Sequence, residues 1–144
     1  MSVSQSLVFL PIFAQVFLTM SVLVALGLRR SSFLRHTGKG IQELALANDE
    51  DWDVACTKAR KNFQSQFELP VLFYVFCLTA YALRQVDLLL LVLAGVFVVS
   101  RIGHSVIHLT SNIVARRAAY WFIGLFAVVG MWVILFVRVA ATEF

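Results

Sequence analysis

Charge is scarce in this chain. Of its 144 residues only 14% are Asp, Glu, Lys or Arg, while 60% are hydrophobic. Soluble domains carry roughly 25% charged and roughly 45–50% apolar residues. A globule this small has too much surface to hide so large an apolar excess from water. The shortage of charge therefore excludes an ordinary water-soluble domain and points to lipid as the solvent. The net charge of +4 rests on too few charged groups to suggest nucleic acid. It fits the basic flanks of membrane helices and an anionic ligand.

Other features are missing too. There are two cysteines, Cys56 in a charged segment and Cys77 in an apolar run, and their spacing matches no zinc or redox motif. Cys77 reads as a small hydrophobe. Repeats and low-complexity tracts are absent, so the chain reads as one unit. No basic region precedes the first apolar run, which is too long for a secretory leader and lacks a cleavage signature. The alternating Asp49, Asp51 and Asp53 lack the glycine of a calcium loop, and Arg60 stands where its final Glu belongs.

What the chain does contain is apolar runs of about 20 residues, the length that a hydrocarbon core of about 30 Å requires. Four are expected to span, at about 7–28, 62–83, 87–109 and 117–140. Pro11 falls in the first turns of its run, where a missing N–H matters least. The one long polar stretch, 29–61, places acidic residues up to Asp53 before the basic Lys58, Arg60 and Lys61. That order suits a helix macrodipole. It predicts a long second helix starting near Asp51 to Asp53 and continuing to about Leu83. Short links at 84–87 and 110–116 make neighbouring spans antiparallel. The fold class expected is an all-α integral membrane protein, a four-helix antiparallel bundle. Positive residues set its orientation. Arg29, Arg30, Arg35, Lys39, Lys58, Arg60 and Lys61 in the first loop, with Arg116 and Arg117, face the cytoplasm, and both termini lie opposite.

Ionisable groups at membrane depth are costly and face a bundle interior or a wet cavity. Arg101, His104, His108 and Ser111 are spaced as one stripe of the third helix. Lys61, Ser65 and Glu68 form another on the second, with Asn62 and Gln66 alongside. Arg116, Arg117 and Tyr120 open the fourth helix, and Arg29 and Arg30 close the first. All lie at one membrane–cytoplasm level. Plain structural roles are available. Terminal arginines snorkel to head groups, Arg101 and Glu68 form an ion pair between helices, and His104 with His108 lack a clear third metal ligand. As a set, these residues suit an anionic polar ligand beside a hydrophobic one.

The segment from Arg60-Lys61-Asn62 through Phe67-Glu68-Leu69-Pro70, with its following apolar run, resembles the second helix of the MAPEG family. These are membrane-associated proteins of eicosanoid and glutathione metabolism. Arg101-Ile102-Gly103-His104, then His108 and Arg117, is similar to the third helix and start of the fourth in prostaglandin-forming members. Arg29-Arg30 with Phe33 is similar to the end of the first helix in leukotriene-forming members. The resemblance implies a homotrimer that binds glutathione between subunits near the cytoplasmic face and acts on lipophilic electrophiles or hydroperoxides. By position, Arg30 (or Arg29), Asn62, Glu68, Arg101 and His104 would hold the peptide, and Tyr120 would contact it. Arg117, or its neighbour Arg116, would sit by the thiol. Two departures stand out: Ser65 occupies the family's Glu position, with Glu68 one turn later, and His108 replaces a Tyr.

The chemistry agrees with that implication. Arginine forks match the two carboxylates of glutathione, and a guanidinium beside a thiol favours the thiolate. The expected activity is a membrane-bound glutathione-dependent transferase or peroxidase. The alternatives are a non-catalytic lipid-binding or scaffold protein, whose arginines meet phospholipid head groups, and a metal- or proton-handling protein built on His104, His108 and Glu68.

Overall fold

The computed structural model describes residues 3–40, 42 and 51–143, with side chains to residue 141. A 3-10 turn, Gln5–Val8, leads into α1 (Phe9–Thr37). Then follow α2 (Val54–Ser65), α3 (Leu69–Ala82), α4 (Leu88–Leu109) and α5 (Val114–Glu143). Four helical stretches are long and apolar enough to cross a membrane: Gln5–Thr37, Val54–Ala82, Leu88–Leu109 and Val114–Ala141. The protein is all-α, with four long apolar segments consistent with a bundle of four spans.

Local chemistry sets the boundaries. Gly38 ends α1 in the left-handed conformation at φ 66° and returns its N–H to the Leu34 carbonyl at 3.0 Å. Asp53 caps α2 by accepting from the Cys56 N–H at 2.7 Å, and Asp87 caps α4 by accepting from the Leu90 N–H at 2.9 Å. The side chain of Gln5 pairs with both backbone groups of Val86, each at 3.0 Å, which ties the chain start to the α3–α4 link. α1 and α5 overrun the spans expected from hydropathy, because their ends are polar but still helical. Of the acidic cluster, residues 48–50 lie outside the described residues.

The expected continuous second helix is corrected: it breaks at residues 66–68. Pro70 has no N–H for the Gln66 carbonyl, and its ring crowds that group. The chain tightens instead. The Gln66 and Phe67 N–H groups bond back to the Phe63 and Gln64 carbonyls at 3.0 Å, and Glu68 takes φ −95°, ψ −97° before α3 begins.

Inside the bundle, Phe73, Phe76, Phe97 and Met131 are buried, and the Phe73 and Phe97 rings stack with centroids 4.3 Å apart. Leu10, Phe13, Phe17, Phe126 and Phe136 are exposed on the outside, as a lipid-facing surface requires. α4 and α5 pack most closely. A Cβ on Gly124 would stand 2.7 Å from the Ser100 hydroxyl, and one on Gly103 would collide with the Tyr120 ring. Small residues at these contacts let the two backbones approach.

At the end away from the long loop, Arg138 pairs with the Asp87 carboxylate and donates to the Gln85 carbonyl. Burial works to raise the Asp87 carboxyl, but the Leu90 N–H and Arg138 outweigh it and hold it below the usual carboxylate range. A group depressed in the folded state contributes stability above its unfolded pKa and loses it as pH falls through the folded one. Thermal unfolding in detergent is therefore expected to show a Tm that declines on the acid side of the carboxylate range. Asp87→Asn, which retains the cap, should flatten that decline; an acid limb unchanged by the substitution would show that the pair contributes nothing.

Candidate functional site

The break between α2 and α3 frees the Ser65 carbonyl at membrane depth. Arg101, fully buried on α4, satisfies it: Nη2 donates to both the carbonyl and the hydroxyl of Ser65 at 3.0 Å. The Ser65 hydroxyl donates in turn to the Asn62 carbonyl at 2.7 Å. Alongside runs a buried amide network. Gln15 donates to Gln66 at 3.0 Å, Gln66 donates to the Ser105 hydroxyl at 3.0 Å, and Asn62 reaches the Ser105 carbonyl at 3.4 Å. These bonds join α1, α2 and α4 where unpaired polar groups would be costly.

The Arg101–Glu68 ion pair, one of the plain structural roles open to these residues, does not form. The break leaves Glu68 exposed on the turn, while Arg101 lies behind Ser65. Arg101 Nε and Nη1 have no partner and are sealed. The bundle thus holds a fixed cation without a bonded anion.

Two histidines flank Arg117, one turn apart. His104 Nδ1 lies 3.1 Å from the Arg117 carbonyl, and a carbonyl only accepts, so Nδ1 carries the proton and Nε2 is left as an acceptor. His108 Nε2 lies 3.2 Å from Arg117 Nη1, and a guanidinium only donates, so here Nε2 accepts and the proton sits on Nδ1. Arg117 Nη1 also donates to Asn112 at 2.7 Å, and Asn112 takes the left-handed conformation at φ 51°.

A cavity of about 400 Å³ opens against Lys61, Ser65, Glu68, His104, Arg117 and Trp121. A second of about 440 Å³ reaches Trp52, Lys58 and Asn112, and shares Lys61, His108 and Arg117 with the first. Both are large enough for a small ligand. Cationic donors dominate them, and Glu68 is the carboxylate in the first.

The structure thus gathers Glu68, His104, His108 and Arg117 at one cavity, with Asn62 and Arg101 buried behind it. Other candidates lie apart. Arg30 sits over the Trp52 ring at 5.0 Å, and Arg29 donates to the Ala55 and Leu109 carbonyls at 3.0 and 2.9 Å. Together they fasten α1 to the start of α2 and the end of α4. Tyr120 lies against the Gly103 backbone and Arg116 is exposed, as is Ser111 beyond the end of α4. Among the described residues no third His, Cys, Asp or Glu joins His104 and His108 as a metal group. Trp121 and Asn112 escaped the sequence reading. Trp121 follows Arg117 by four residues and so shares its helical face, which was a usable signal.

Comparison with known proteins gives one finding: residues 8–137 match the family model described as MAPEG family. No curated protein and no solved structure matches the chain.

Arg101 generates a stability prediction. An unpaired buried guanidinium costs several kcal/mol of desolvation, whereas an unmet Ser65 carbonyl costs about 1–3 kcal/mol. The first effect is larger, so Arg101→Met is expected to unfold in detergent at a Tm no lower than the parent. A clear drop in Tm would mean that the bonds to Ser65 outweigh the buried charge.

Proposed function

The chain belongs to the MAPEG family, and from that premise we propose that it is a membrane-bound glutathione-dependent transferase or peroxidase acting on lipophilic electrophiles. The observation that carries this reading is the cation-rich cavity around Arg117, set in a bundle whose outer surface is apolar.

The residues present fit the peptide. Lys61, and Lys58 in the adjoining cavity, supply ammonium groups for its two carboxylates, and Glu68 supplies an anion for its amino group. Arg117 is held by Asn112 and His108, and a guanidinium is a donor that does not give up its proton in a protein. It stabilises a thiolate placed beside it without surrendering a proton. Arg101 adds a fixed positive charge behind Ser65, and low local polarity strengthens its field. Bound glutathione would supply the nucleophilic sulfur, and a lipophilic partner would reach it sideways from the bilayer. In this reading the protein is a homotrimer whose glutathione sites face the cytoplasm, with both termini on the other side.

Calorimetry on the detergent-purified protein is the test. Saturable glutathione binding is expected. Arg117→Ala should weaken it and lower turnover by about 10²–10³-fold, as for loss of one preorganised donor. Arg116→Ala should leave both nearly unchanged. A folded, homogeneous parent protein that binds no glutathione would end this reading.

A further inference from the structure

Four imidazole nitrogens lie around Arg117; two of them are engaged with it and a third is sealed in the protein. His108 Nε2 accepts from the Arg117 guanidinium, and His108 Nδ1 is sealed in the protein with no partner. His104 Nδ1 donates to the Arg117 carbonyl. His104 Nε2 remains. It has no hydrogen-bond partner, is not among the sealed atoms, and belongs to a residue that lines the 400 Å³ cavity. The backbone carbonyl of Arg117 thus fixes one tautomer and leaves the basic lone pair on the open nitrogen, the orienting arrangement that a general base requires.

We propose that His104 is the general base of this site and takes the thiol proton at Nε2. The proposal rests on the glutathione reading and adds a residue role to it. The charged and titratable groups around His104 are Arg101 and His108 on α4, Arg117 on α5, Lys61 on α2 and Glu68 on the break. The arginines and Lys61 offer donors and no acceptor, and His108 has its acceptor nitrogen engaged. Glu68 is exposed on the break and is assigned to the amino group of the peptide.

The step balances without an oxidant. The S–H bond breaks and an N–H bond forms at His104 Nε2, while the sulfur keeps the electron pair against Arg117. With an activated alkene as the lipophilic electrophile, the S–C bond forms, the π pair moves onto the activating group, and His104 returns the proton to the resulting enolate. The same nitrogen serves both halves of the addition.

Two substitutions separate a base from an anchor. The amide nitrogen of His104→Asn can replace Nδ1 at the Arg117 carbonyl but offers nothing at the Nε2 position. His104→Gln offers an oxygen near Nε2 that does not bind a proton. The measurements are glutathione affinity by calorimetry and the rate of thiolate formation, followed by ultraviolet absorption after rapid mixing. Both variants are expected to bind glutathione like the parent, to form thiolate about 10²-fold more slowly or worse, and to recover when free imidazole is added. Parent-like thiolate formation in either folded variant overturns the proposal, and so does a slow rate that imidazole does not restore. Loss of affinity in the variants alone makes His104 a ligand-holding residue and also overturns it. Failure of the parent itself to bind glutathione removes the functional reading beneath it.

Discussion

Hydrocarbon offers no hydrogen-bond partner, so any backbone group released by a broken helix must be met from inside the bundle. Pro70 forces such a release in the second span. Arg101 meets it by giving one guanidinium nitrogen to the Ser65 carbonyl and hydroxyl. Much of the arrangement around the cavity follows from this contact. It draws α4 against α2, keeps a positive charge at depth, and leaves Glu68 on the exposed turn. Ser65 in place of a carboxylate is what permits the arrangement, because a hydroxyl accepts from the arginine without neutralising it.

Arg117 is the second organising residue, and it works through both backbone and side chain. Its carbonyl fixes His104, and its guanidinium is fixed by His108 and Asn112. The first turns of α5 are therefore locked to the last turns of α4 by two bonds and to the link between them by a third. Deeper in the bundle the same two helices meet at Gly124 and Ser100, where only a missing Cβ allows the approach. Close backbone packing and polar clamping thus act on one helix pair at two levels.

The spans were legible because the requirement behind them is crude: about 20 apolar residues are either present or not. The stripe of Arg101, His104 and His108 was legible from spacing alone, since a helix puts those offsets on one face. Depth along that face was not. Periodicity does not distinguish a cation facing a cavity from one sealed behind a serine, and Arg101 is the second kind. Nor does it resolve neighbours about 100° apart on a helix end, such as Arg116 and Arg117 or Tyr120 and Trp121. That choice depends on how α5 rotates against α4, which Gly103 and Gly124 set. The break was signalled by Pro70, but acid-to-base order and overall hydropathy favoured continuity. Arg30 was drawn away by Trp52, a partner beyond any helical period.

α1 has 29 residues, about 43 Å at a helical rise of about 1.5 Å per residue, against a hydrocarbon core of about 30 Å. Its last turns carry Arg35 and His36 and lie past the apolar run. Arg29 marks the end of that run, clasping carbonyls from α2 and α4. The consequence concerns hydrophobic mismatch. A thicker or thinner bilayer can be met by tilt or by local adjustment of the lipid, at fractions of a kcal/mol per Å. The Arg29 clasp moves with the bundle as one piece, so the depth of His104 and Arg117 beneath it stays constant. Membrane thickness then changes how far the polar collar of α1 protrudes, and leaves the geometry around the cavity as it was.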